Sequence, residues 1–127
     1  MTGTEIKILA VMNDLFFQVK IIDAAKKLGL TVEFLKDRET VFEKVKAQPA
    51  MVIFDLNYAA ADPLDLIRRI KADPETRLVS IVGFVSHVQT ELRLKAHESG
   101  CDMVVARSAF VQNIPAILQK YSNSARK

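Results

Sequence analysis

Apolar residues recur along this chain in two rhythms. Short runs at 6–11, 31–35, 50–54, 79–85 and 103–106 are rich in β-branched and aromatic residues. Runs of that length and makeup predict strands, most of them buried on both faces. Between them the spacing changes to threes and fours. Over 15–28, Leu15, Phe16, Val19, Ile22, Ala25 and Leu28 fall on one helical stripe, with Asn13 or Asp14 as a cap and Gly29 as a stop. A short helix over 39–47 would turn Val41, Phe42 and Val45 inward, and Pro49 closes it. Pro63, behind Asp62 as cap, starts a helix to about Ala72 with Leu64, Ile67 and Ile70 inward, and Asp73-Pro74 ends it. A helix over 88–99, stopped by Gly100, would bury Leu92 and Ala96, with Leu94 a further candidate. The last helix spans 110–121. Pro115 either kinks it or marks where its regular part begins. Phe16 and Phe17 are adjacent, so only one of them can face the core.

Strands and helices thus alternate five times without repeats or linkers, the signature of a parallel sheet with helices on both faces. Right-handed crossovers then bring all the strand ends to one edge. Met12, Asn13, Asp55, Val85, Ser86 and Arg107 each follow a predicted strand and are expected to converge there. Asp55 stands out among them. The run 50–54 is apolar and stops at this carboxylate, which does not belong inside a buried strand. It therefore belongs at the strand's carboxyl end, where ligands collect in open parallel sheets. The plainer reading, that Asp55 only ends a strand or caps a turn, carries equal weight on this segment alone.

Composition narrows the picture. At 127 residues the chain suits one domain over 1–121 with a flexible tail at 122–127. Half its residues are hydrophobic and 26% are charged, the balance of a soluble globular protein. No apolar run approaches the roughly 20 residues that span a bilayer. The single cysteine, Cys101, excludes an intramolecular disulfide, fits a reducing cytoplasm, and reads as a small buried residue. With only two histidines beside it and no ligand spacing, a structural metal site is not expected. The net charge of +3 comes from 18 bases and 15 acids, with the bases spread out rather than interleaved with aromatics. They read as solvated helix faces, so nucleic acid is not an expected partner. Ser86 and His87 are neighbours, but adjacent side chains point apart and no Gly-x-Ser-x-Gly elbow surrounds them, so no enzyme is expected. His97, in helical spacing, is placed at or near the surface.

The segment Val52-Ile53-Phe54-Asp55-Leu56-Asn57, followed by Asp62, Leu64 and Leu66, resembles the receiver domains of two-component response regulators. So does the later Ala96-His97-Glu98-Ser99-Gly100-Cys101-Asp102. The resemblance runs from Ile6 to about Tyr121. It implies a flavodoxin-like (βα)5 sheet of strand order 2-1-3-4-5, with Asp55 at the position of the phosphoacceptor. The helpers around that aspartate are altered. Met12 and Asn13 stand where an acidic pair would bind Mg²⁺, and Asp14, one place later, is expected to be turned away by the helix start. A metal held by Asn13, Asp55 and Asn57 would be weak, and no cofactor is required. Val85 takes the place of the switch hydroxyl, leaving Ser86 as the candidate, and Arg107 replaces the usual lysine. Ser108 replaces the proline that follows. Arg107 paired with Asp55 would neutralise the site without phosphate. The resemblance also implies a protein partner (a histidine kinase, phosphotransfer protein or output protein) and a binding or homodimer face. That face lies on the fourth helix, fifth strand and fifth helix, at Leu92, Lys95, Val104, Phe110 and Gln112, with Val104 where an aromatic switch residue is common. The expectation is a stand-alone atypical receiver that acts through protein contacts without Mg²⁺-dependent phosphorylation. The alternative is a single-domain response regulator phosphorylated on Asp55.

Overall fold

The structure, a computed structural model, describes residues 6–86 and 90–124. Five parallel strands, β1 (Lys7–Val11), β2 (Thr31–Leu35), β3 (Met51–Asp55), β4 (Ser80–Val85) and β5 (Met103–Ala106), form one sheet in the order β2-β1-β3-β4-β5. This is the flavodoxin-like order expected from the alternation of elements. Helices α1 (Leu15–Lys27), α2 (Arg38–Val45), α3 (Pro63–Ala72), α4 (Thr90–Ser99), α5 (Arg107–Gln112) and α6 (Ile114–Ser124) cover its two faces. The start of the helix expected at 88, and with it His87, lies outside the described residues.

A strand sends successive side chains to opposite faces, and here that alternation builds two cores. Ile8, Ala10, Met12, Met51, Ile53, Val82 and Phe84 pack with α1, α5 and α6. Leu9, Val11, Val52, Phe54 and Ile81 pack with α2, α3 and α4. On the first side Phe17, Phe84 and Phe110 form a ring cluster, with centroids 4.7, 5.7 and 5.1 Å apart. This cluster fixes the rotation of α1. Its core side is Phe17, Ile21, Ala24 and Ala25. Leu15, Phe16, Val19 and Ile22, expected inward, are exposed instead. The helix carries apolar residues on both sides, and packing onto the ring cluster selected the other one.

Some smaller expectations change and others hold. Asp62 precedes α3 in a left-handed conformation (φ 45°) and makes no side-chain cap. Arg38 of α2 instead holds this turn, donating to the carbonyls of Ala61 and Asp62 and to Asp65 Oδ2 at 2.7 Å. Of the two alternatives for Pro115, the structure shows the second: it marks where the regular part of the last helix begins. It sits in the first turn of α6, after a break at Asn113, where a missing N–H costs nothing. Ser122, placed in the tail, is buried within α6. Leu94 is exposed, while Ala96 is buried. His97 is exposed and Cys101 is buried, both as expected.

Candidate functional site

Asp55 is the last residue of β3, and its carboxyl group is half-buried. Register explains the environment. Asp55 pairs with Phe84 of β4, and pairing of Val11 with Phe54 sets Met12 level with it on the other side. Both neighbours are apolar and fully buried. Burial accordingly pushes the Asp55 carboxyl above the ordinary aspartate range, and the nearby Asp14 charge pushes the same way. The Asn57 backbone N–H and the Arg107 charge pull it back.

On one side, Asp55 is linked to Ser86 through a neutral relay. The Asn57 N–H donates to Asp55 Oδ1 at 2.9 Å. The Asn57 side-chain Oδ1 accepts from the Ser86 N–H at 2.7 Å and from the Ser86 hydroxyl at 3.0 Å. The structure thus brings Asp55, Asn57 and Ser86 together, but the hydroxyl is aimed at Asn57 rather than at the carboxylate.

On the other side, the Arg107–Asp55 pair that the sequence left open does not form. Arg107, the first residue of α5, donates to Asp14 Oδ2. Its guanidinium also lies over the Phe17 ring, 4.5 Å from the centroid. Asp14 is not turned away. One of its oxygens caps α1 by accepting the Phe17 N–H at 3.1 Å, and the other meets Arg107. The Phe17 N–H first, then Arg107, hold its carboxyl below the usual range against some opposing burial. The cap signal was visible in the sequence. Its second partner, 93 residues away, left no local trace. Arg107 therefore acts on Asp55 through its field and not through contact.

The donor set does not suit a hard divalent cation, which takes oxygen ligands and several charges. Met12, fully buried in the sheet's core, contributes a thioether. Asp14 already has two partners. Asp55 is left with neutral Asn13, which is exposed, and Asn57. Among the described residues no group of three or more His, Cys, Asp and Glu is placed to hold a metal.

The residues expected on a partner face divide. Lys95 and Gln112 are exposed and Leu92 is half-buried. Val104 and Phe110 lie in the core instead, because β5 turns Val104 toward α4 and Phe110 belongs to the ring cluster. A groove of about 380 Å³ lies at the sheet's opposite edge, near Gln48, Thr76 and Leu78, far from Asp55.

No family model matches the sequence, and no curated protein does. Solved structures do match in fold. A response regulator from Hahella chejuensis superposes with a TM-score of 0.84 at 17% identity, over 92% of this chain and 95% of that one. The receiver domain of a sensor histidine kinase from Pseudomonas aeruginosa, with a magnesium ion coordinated in its active-site cleft, gives 0.79 at 20% identity, over 94% and 99%. The phosphorylated cyanobacterial phytochrome response regulator RcpA gives 0.80 at 16% identity, over 93% and 94%. The chain has the fold of response-regulator receiver domains. No described helix is long and apolar enough to cross a membrane.

Proposed function

We propose that this protein is an atypical receiver in two-component signalling that acts by binding a protein partner, without metal-assisted phosphoryl transfer to Asp55. One observation carries the reading. The cation that would meet a phosphoryl group, Arg107, is held by Asp14 and the Phe17 ring and makes no hydrogen bond or ion pair with the aspartate. Phosphoryl transfer depends on positioned positive charge against the transferring group. Here the metal position offers a buried thioether and the fixed cation is engaged elsewhere.

A second reading keeps Asp55 as a phosphoacceptor. The Asp55–Asn57–Ser86 relay favours it, since it couples a hydroxyl-bearing loop to the carboxylate. Intact-mass spectrometry after incubation with acetyl phosphate, with and without Mg²⁺, separates the two. The expected result is no adduct while a typical receiver is labelled alongside. A Mg²⁺-dependent phosphoryl adduct that disappears in Asp55→Ala establishes the second reading in its place. In the cell, the binding reading expects Asp55→Asn to leave partner association unchanged.

A further inference from the structure

Helix α1 is apolar on the side that faces away from its own core. Leu15, Val19 and Ile22 form a ridge at i, i+4 and i+7, with Phe16 on one flank, and they are 74%, 64%, 45% and 67% exposed. Lone exposed apolar residues need no explanation, but four contiguous ones on one helix do. A helix that is apolar on both sides is built to be covered on both.

We propose that a second copy of this chain covers the ridge, with the two α1 helices antiparallel about a two-fold axis. Area is the first support. The exposed fractions amount to two or three large side chains, or about 400–500 Å² of apolar surface per copy. A standard interface buries about 800 Å² per partner, a little over half of it non-polar, so the ridge supplies what one side of a stable dimer needs. Charge is the second. The flank beside the ridge reads Phe16, Lys20, Asp23, Lys27, so its charges run plus, minus, plus, while exposed Lys26 continues the ridge itself at its carboxyl end. In an antiparallel two-fold pair each flank meets its own copy. An axis between Lys20 and Ile22 sets Val19 against the partner ridge's isoleucine. It also brings Asp23 within one turn of the other copy's lysine at position 20, and the reverse. Within one copy Asp23 reaches only Lys27, at 3.3 Å, while Lys20 lies over the Phe16 ring. The charges of α1, Lys20, Asp23, Lys26 and Lys27, sum to +2, so the self-complementary part of the surface is Lys20 with Asp23. The ridge starts beside the Asp14 cap, so the dimer would close over the wall of the site that Arg107 occupies. The proposal stands whether or not Asp55 accepts a phosphoryl group.

The experiment is sedimentation velocity on the full chain from micromolar to submillimolar concentration, with circular dichroism to verify folding. A concentration-dependent dimer is expected. Val19→Lys should weaken it by at least about thirty-fold, since it puts a charge at the centre of the buried ridge, and should leave the folded spectrum unchanged. Lys20→Asp and Asp23→Lys should each weaken the dimer, and the double swap should restore it. A wild-type chain that stays monomeric throughout overturns the proposal and leaves the ridge to a different protein. A dimer untouched by Val19→Lys also overturns it and puts the interface on another face.

Discussion

Removing the Asp14 side chain tests the arrangement on which the functional reading rests. Asp14→Ala deletes two interactions at once. The first is the cap on the Phe17 N–H. Losing a capping carboxylate costs about 1 kcal/mol. The second is the ion pair with Arg107, whose two side chains are each about a third exposed, at 33% and 32%. Solvent screens such a pair, so its share is about 0.5–1 kcal/mol. The total is about 1.5–2 kcal/mol, or about 5–9 °C in Tm for a domain of this size. Asp14→Asn keeps an oxygen for the cap and should lose only the second part. Arg107→Gln should lose that part plus about 0.5–1 kcal/mol of attraction to the Phe17 face. A double-mutant cycle of Asp14→Asn and Arg107→Gln, read by urea unfolding, should give a coupling of about 0.5–1 kcal/mol. The sign with pH follows from the lowered Asp14 carboxyl. Stability from a depressed aspartate is present above its unfolded pKa, about 3.9, and is lost as pH falls through the lower folded value. The coupling should therefore be the same at pH 7 and pH 5 and fade only in strong acid. Additivity of the two substitutions at pH 7 would refute the claim that Arg107 is held by Asp14.

Three further outcomes are expected. Asp55→Asn should raise Tm at pH 7, because burial lifts the carboxyl and its ionisation opposes folding; the gain should shrink as pH falls through the raised folded value, and an equal gain at pH 4 would contradict it. Phe84→Ala, in the centre of the ring cluster, should cost about 3–5 kcal/mol by urea unfolding, and a loss under 1 kcal/mol would mean the cluster does not anchor α1. Cys101, whose thiol burial pushes up to about 12, should resist a disulfide reagent at pH 8 until denaturant is added.

Strand positions were legible because buried parallel strands leave long apolar runs, and β5 falls where 103–106 predicts it. Asp55 was legible for the same reason, as a charge that such a run cannot contain. The rotation of α1 was not. Its sequence offers two apolar stripes of similar strength, and periodicity cannot rank them. Phe84 and Phe110 decide, from 67 and 93 residues beyond Phe17. The Arg107–Asp14 pair was hidden for a related reason. Receiver resemblance directs attention to the residue two places earlier, and the partner of a charged side chain is a property of the folded chain rather than of spacing. Ser86 was legible as a nearby hydroxyl, but its attachment to the Asn57 side chain depends on how two loops meet.

Met12 bears on the stability of the sheet edge as well as on its chemistry. Its thioether fills the space beside Asp55 with no solvent access. Met12→Asp would place a carboxylate next to an existing one in the apolar cluster of Phe17, Phe84 and Phe110. An uncompensated charge there costs about 3–5 kcal/mol, a large share of what holds a domain this size together. A carboxylate introduced at position 12 therefore weakens the fold unless a cation comes with it. Position 12 works as a lock on the sheet edge: as long as a thioether fills it, Asp55 has an apolar neighbour where a second carboxylate would stand.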